Sequence, residues 1–402
     1  MNNQFRQYNR IAIITVLALL EFLISSAQTI PLDPALKIGK LPNGFTYYIR
    51  RNTMPAKMAQ LYLVNKFGSL VEDDDQQGLA HFMEHMNFNG TKNFPKNELI
   101  EYLQKSGVRF GADVNAHTGF EETVYELPLP SDDPQLLRNG IGIMRDWAQE
   151  ALLEPVEIDK ERGVILEEAR LRKGTSERMS KTYMPMLLNH SRYTSRFPIG
   201  LEEILKTFPP KAIARFKKDW YRPDLQALIV VGDVDTAHIE KLIIEKFSDL
   251  STVANARKCI PYEIPLTGGN QFLLVTDKEM LGTTIEILYK HRQPELKTQA
   301  DYRRSIVQSL YGLLVNFRKQ SEISKEKDPA FTDISLGMQA LPGKLEMFVF
   351  EVSPKQGRLK PAFMQAFGYL EKIKRYGFTP RELIEAKNNL LKRYTASLSE
   401  KN

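Results

Sequence analysis

Residues 81 to 85 read His-Phe-Met-Glu-His, and this string decides how the rest of the chain is read. On a helix, residues four apart lie one turn above each other, so His81 and His85 can offer two imidazoles to one ion. With His81 at zero and 100° per residue, His81, Glu84 and His85 fall between about 300° and 40°, while Leu79, Phe82, Met83 and Met86 fall near about 100° to 200°. The pattern predicts a helix over about 76–88 with an apolar back and a ligand face. Two neutral imidazoles at that spacing suit zinc, and an adjacent carboxylate suits the base that takes a proton from a zinc-activated water. A solvated amphipathic helix could carry the same five residues, so a third ligand has to come from elsewhere.

A source appears in Glu161-Arg-Gly-Val-Ile-Leu-Glu-Glu168, inside a helix-like stretch from Ile158 to about Leu188. With Glu161 at zero, Ile158, Val164, Ile165, Ala169 and Leu171 cluster within about 80° on either side, and Glu168 falls at about 340°. Two carboxylates thus occupy the middle of an apolar stripe, where acids need a cation, an ion pair or a shared proton. Glu167, near about 240°, falls off that face and reads as a surface charge. Pairing of the acids with Arg162, Arg170 or Arg172 is the competing explanation.

The last Glu of this second motif follows His85 by 83 positions, and HFMEH with ERGVILEE resembles the inverted-motif zinc peptidases of the pitrilysin and insulinase family. Between the motifs, Val114-Asn-Ala-His-Thr118 with Glu122-Thr-Val-Tyr125 is similar to the family's Asn-Ala strand, which borders the site and pairs with substrate backbone. Further on, Trp220-Tyr-Arg-Pro-Asp-Leu-Gln-Ala-Leu-Ile-Val-Val-Gly-Asp233 resembles the turn, strand and Gly-Asp corner that end the family's first domain. The resemblance covers about residues 37–250. It implies one Zn2+ per chain on His81, His85 and Glu168, Glu84 as general base and acid, and Glu161 as a carboxylate that supports a ligand. It also implies substrate contacts from Asn115, Ala116 and His117. His117 departs from the pattern, since the family usually has an aromatic residue after Asn-Ala, and it reads as a substrate-contact or surface residue. His190, His238 and His291 stand alone without ligand spacing.

Arg6 and Arg10 precede an apolar run from Ile11 to Leu20, and Ser25-Ser-Ala27 supplies small residues in the arrangement a signal peptidase accepts. Residues 1–27 therefore read as a secretory signal peptide. Glu21 cuts the run short of the roughly 20 residues a membrane span needs, and export to a periplasm or beyond is expected. The chain has 55 basic and 49 acidic residues; removing the leader takes away two Arg and one Glu and lowers its net charge from +6 to +5. That mild excess, without a basic patch interleaved with aromatics, excludes a nucleic-acid partner. The single cysteine, Cys259, cannot form an internal disulfide, so the core alone must hold the fold.

The length predicts two domains. The joint is expected within Ser251–Pro265, giving 28–255 as the catalytic domain and 256–402 as a second domain without metal ligands. The fold class read here is α+β. In the first domain, strands are expected at 45–49, 58–71, 113–129 and 225–231, and helices near 96–106, 133–152, 156–189 and 210–219. In the second, strands are expected at 272–276, 283–290 and 344–353, and helices at 302–319, 360–376 and 380–398. The resemblance implies two related mixed α/β sandwich domains that form one bowl-shaped half of a peptidase chamber. The other half would come from a longer chain or from a partner subunit, and would contribute an Arg and a Tyr. The function expected is an exported zinc metalloendopeptidase acting on peptides or unfolded polypeptides. The alternative is a non-proteolytic peptide-binding or assembly subunit of the same family, against which the intact Glu84 argues.

Overall fold

The computed structural model describes residues 28–399, apart from 97, 106, 107, 110 and 112. The leader expected at 1–27 lies outside the described residues. The described chain divides into two units, a larger one from Asp33 to Glu279 and a smaller one that joins residues 28–32 with residues 280–399.

In the larger unit, the chain turns at Asn43-Gly44. Gly44 takes φ +96°, and its amide donates to the Leu41 carbonyl at 2.9 Å. That turn joins β1 (Leu36–Lys40), which sequence reading missed, to β2 (Thr46–Arg51). There follow β3 (Met58–Asn65), α1 (Leu79–Asn89), α2 (Glu98–Lys105), β4 (Asn115–Thr118), β5 (Thr123–Pro130), α3 (Pro134–Gln149), α4 (Pro155–Leu171), α5 (Thr175–Leu187), α6 (Glu202–Thr207), α7 (Pro210–Trp220), β6 (Gln226–Gly232) and α8 (Thr236–Phe247). The strands form one six-stranded sheet in the order β1-β2-β6-β3-β5-β4, with β2 and β6 parallel and the other pairs antiparallel. Among the described residues, strand β4 therefore ends the sheet.

Alternation along β3 and β5 turns Leu61, Leu63, Tyr125, Leu127 and Leu129 into one core with Ile141, Met144 and Trp147 of α3 and Ile243 and Phe247 of α8. Each large apolar side chain buried this way contributes about 1.5–3 kcal/mol. Asp133 and Asp235 cap α3 and α8 by accepting from the amides two and three residues on. A second core collects the apolar back of α1, Leu79, Phe82, Met83 and Met86, with Ile158 and Ile165 of α4 and Phe208, Ile213, Phe216 and Trp220. A short polar seam runs between the two cores. Asn87 of α1 donates to the Tyr125 hydroxyl at 2.7 Å and to the Trp147 carbonyl at 3.2 Å, the Trp147 indole donates to the Asn87 carbonyl at 3.0 Å, and the Tyr125 and Tyr221 hydroxyls lie 2.9 Å apart.

Several elements differ from the sequence reading. The strand expected over 113–129 is a hairpin, because the chain turns at Gly119, whose amide donates to the Glu122 carbonyl at 2.8 Å. The helix expected over 156–189 breaks at Gly174 into α4 and α5. Residues 272–276 form no strand, and Phe272 and Leu274 are exposed. The expected joint within 251–265 stays with the larger unit: Arg257 pairs with Asp73 and Asp219, Asn189 donates to the Pro265 carbonyl, and Arg178 pairs with Asp277 and Glu279. The division between the units comes after Glu279.

The smaller unit contains β7 (Ile285–Arg292), α9 (Gln299–Ile323), β8 (Phe331–Leu341), β9 (Leu345–Pro354), α10 (Leu359–Tyr376) and α11 (Pro380–Ser399). Its antiparallel sheet runs β7-β9-β8 and packs Phe331, Ile334, Phe350 and Val352 against Ala362, Ala366 and Tyr369 of α10. Strand β8 had no counterpart in the sequence reading. The architecture of the described residues is mixed α/β.

Candidate metal centre

The HFMEH string lies on α1 as its spacing requires, with Leu79, Phe82, Met83 and Met86 fully buried behind it. The start of α1 is held by a residue that sequence reading overlooked. The Glu72 carboxyl group is fully buried and accepts from the amides of Gly78 at 3.1 Å and Ala80 at 2.8 Å, two of the donors a helix start leaves unpaired. Arg192 and Arg196 donate in turn to the Glu72 carbonyl at 2.5 and 3.1 Å. Burial pushes the Glu72 carboxyl up to about 8, against the pull of the two amides and the two arginines. Backbone packing supplies a second restraint, since Gly78 (φ +101°) lies directly against Gly200 (φ +77°).

Helix α4 crosses α1 and brings its own acids to the ligand face. His81 Nε2 lies 3.2 Å from His85 Nε2, and Glu168 Oε2 lies 3.5 Å from the first and 3.7 Å from the second. Ligand atoms about 2.0–2.2 Å from a tetrahedral zinc stand about 3.3–3.6 Å apart, so this triangle has the size that ion takes. The ring chemistry agrees with the size. Burial, followed by the neighbouring His85, lowers His81 to about 4, which keeps its imidazole neutral. Its Nδ1 is buried with no hydrogen-bond partner among the described residues, so the ring's polar interactions are all on the Nε2 side. Among the described residues, His81, His85 and Glu168 form the one group of such side chains able to hold a metal.

Glu161 stands behind His85, its Oε1 2.7 Å from Nδ1, and Asn89 at the end of α1 donates to its other oxygen. With Nδ1 given to Glu161, His85 presents Nε2 to the centre. Burial opposes the charge on both partners, but their mutual bond prevails: His85 is raised and Glu161 lowered. Glu84 is also buried, and burial raises it while the Thr118 hydroxyl, donating to Oε2 at 2.5 Å, pulls it part of the way back. Thr118 and Asn89 were not singled out from the sequence.

The competing arginine explanation holds in part. Arg172 donates to Glu168 Oε1 at 2.5 Å, leaving Oε2 to the imidazoles, while Arg170 pairs with Glu167 and Arg162 with Asp159. Glu167 is exposed, as its angle required. Val164 and Leu171, read as part of the apolar stripe, are 53% and 70% exposed; the buried arc of α4 is narrower and centres on Ile158, Glu161 and Ile165. Asn115 and His117 are exposed on the edge strand β4, with Ala116 half-buried between them, and His117 lies outside the metal-capable group. His190 and His238 are exposed, and His291 pairs with Glu346 in the smaller unit.

Comparison with known proteins gives two family matches. Residues 47–189 match the insulinase family (peptidase family M16), and residues 207–390 match the peptidase M16 inactive domain. The chain is 33% identical over 361 residues to the "Probable zinc protease PqqL" of Haemophilus influenzae, covering 90% of this chain and 39% of that protein. Its likeness to the Escherichia coli protein of the same name is 33% over 366 residues, covering 91% of this chain and again 39% of the relative. The chain thus spans about two-fifths of the length of these relatives. The crystal structure of the first half of the periplasmic protease PqqL from Escherichia coli superimposes with a TM-score of 0.85 at 31% identity, covering 92% of this chain and 79% of that one.

Proposed function

Because this chain belongs to the insulinase family, peptidase family M16, we propose that it carries the active centre of a zinc-dependent endopeptidase that hydrolyses peptides or unfolded polypeptides. The observation that carries the reading is the convergence of His81, His85 and Glu168 from two helices on one point, with the buried Glu84 beside them.

One zinc ion would be held by His81 Nε2, His85 Nε2 and a Glu168 oxygen, and bound there it would supply a Lewis acid and an acidified water. The chain's own residues do the rest. Thr118 occupies Glu84 Oε2, which leaves Oε1 to take the proton from the attacking water. As the hydroxyl adds to the scissile carbonyl carbon and the C–N bond breaks, Glu84 returns that proton to the leaving amine nitrogen and becomes a carboxylate again. Glu161 keeps the His85 ring in one orientation throughout. The free edge of β4, Asn115–Thr118, offers main-chain groups to an extended substrate, with His117 beside its side chains.

Export follows from the same reading. The Escherichia coli relative is a periplasmic protease, residues 1–27 have the composition of a signal peptide, and no helix among the described residues is long and apolar enough to cross a membrane. A carboxyl-terminal half or partner subunit would close the site.

The test compares the protein with its Glu84→Gln variant. Elemental analysis should find close to one zinc in each, while cleavage of a fluorogenic peptide falls by at least about 10²-fold in the variant. Freshly isolated, chelator-free protein without zinc would falsify the metal assignment. A variant that loses its zinc would make Glu84 a ligand, and cleavage that survives in it would remove Glu84 as the base.

A further inference from the structure

We propose that Thr118 is the positioning residue of Glu84, so that the edge strand expected to receive the substrate also aims the group that moves the proton. This rests on the reading of Glu84 as general base. Backbone packing and Glu72 fix where α1 lies, but the Glu84 carboxylate stands at the end of three rotatable bonds, and its hydrogen bond among the described residues comes from Thr118 Oγ1 at 2.5 Å. Threonine is suited to that task. Its β-branch restricts χ1, so the hydroxyl is held in place without cost from a floppy side chain.

The position on β4 gives the bond its further meaning. Strand β4 is four residues long, pairs with β5 on one side from Asn115↔Glu126 to Thr118↔Thr123, and ends the sheet on the other. Its burial alternates, with Asn115 and His117 exposed and Ala116 and Thr118 half-buried. An extended peptide added to the outer edge would turn β4 from an edge strand into an internal one and damp its motion. Thr118 belongs to that strand and reaches Glu84 directly, so peptide docking would steady the base at the moment it is needed. An unliganded edge would leave it looser.

The experiment uses the intact protein with Thr118→Val, Thr118→Ser, Glu84→Gln and the Glu84→Gln/Thr118→Val pair. Valine keeps the branched shape and removes the hydroxyl; serine keeps the hydroxyl. The expected result for Thr118→Val is a fall in kcat of about 10- to 100-fold, a part of what a general base supplies, with KM, zinc affinity in a chelator competition and melting temperature near those of the parent. Thr118→Ser should recover most of the kcat, and in the Glu84→Gln background Thr118→Val should cost nothing further. Parental kcat in Thr118→Val overturns the proposal, as does a serine variant as slow as the valine one, or a loss of kcat that tracks loss of zinc. If Glu84→Gln itself keeps parental turnover, the reading of Glu84 fails and takes this proposal with it. A silent Thr118→Val beside an inactive Glu84→Gln sinks the positioning role alone.

Discussion

Replacing Gly200 by alanine should damage the metal centre from a distance. The added Cβ would lie 2.4 Å from the Gly78 Cα, 2.6 Å from the Gln77 carbonyl oxygen and 2.8 Å from the Gly78 nitrogen, all of them backbone atoms. No flexible side chain can yield, so either the loop or the start of α1 has to move. The φ of +77° adds to the strain. A non-glycine residue in the left-handed region costs about 1–2 kcal/mol, and overpacking about 1–3 kcal/mol, so the expected loss is about 2–5 kcal/mol. For a unit of roughly 250 residues that lowers the melting temperature by several degrees at least, at about 2–4 °C per kcal/mol. Gly163 supplies the control. It sits on the exposed side of α4, between Glu161 and Glu168, where a Cβ would meet nothing within 4 Å. Alanine there should stabilise by about 0.5–1 kcal/mol, the ordinary gain of Gly→Ala inside a helix. Thermal unfolding followed by circular dichroism, with zinc and after chelation, compares the two. A Gly200→Ala protein within about 0.5 kcal/mol of the parent, or a Gly163→Ala protein equally weakened, would refute the reasoning, the first value being the scatter of ordinary surface substitutions.

Removing the carboxylate behind His85, Glu161→Ala, should weaken zinc binding by about 10- to 100-fold in a chelator competition; an unchanged affinity would show that the His85 ring is held by something else. Glu72 should make stability depend on pH. Its carboxyl is raised to about 8 in the folded chain, so as pH climbs from about 4.5 the unfolded state gives up a proton the folded state still keeps. Its contribution is present below about 4.5 and lost on the way to about 8, at up to about 1.4 kcal/mol per unit. Denaturant melts at a series of pH values should show a steeper fall over this range in the parent than in Glu72→Gln, and equal slopes would exclude it. Residues 1–402 alone should bind zinc yet cleave peptides feebly, because donors to the developing oxyanion that the opposing half would bring are each worth roughly 10² to 10³ in rate. Full turnover by a monomer, with sedimentation to establish its state, would show that the centre needs no other half.

How much of this was legible in the sequence follows from how local each interaction is. His81, Glu84 and His85 were readable because one helical turn brings them together, and Glu168 was separable from Glu167 because the same period places them on different sides of α4. The family resemblance carried by these motifs is borne out by the two family matches. Glu72, Asn89 and Thr118 gave no such signal. Glu72 caps a helix from seven residues before its start, Asn89 acts through an acid 72 positions away, and Thr118 bonds a residue 34 positions back from a strand whose neighbours no periodicity reveals. Where periodicity misled, it did so by ignoring breakers: Gly119 folds one expected strand into a hairpin, and Gly174 cuts one expected helix in two. The exposure of Val164 and Leu171 has the same origin, since a wheel marks which residues share a side and cannot say how wide the neighbouring surface is.

The seam of Asn87, Tyr125, Trp147 and Tyr221 has a consequence for uniqueness. Two apolar layers can slide over each other through many positions of nearly equal energy, because dispersion has little directional preference. Hydrogen bonds do have direction, and here they join α1 to β5 and α3 at one register. Burial keeps both phenols protonated, so a proton stays available for the bond between the two hydroxyls. A variant with Leu in place of Asn87 would retain a greasy, compact interior and lose the two bonds its side chain makes, leaving the Trp147 indole on the backbone carbonyl of residue 87 as the remaining directional tie of the three. With those two gone, α1 would present its imidazoles over a wider range of heights.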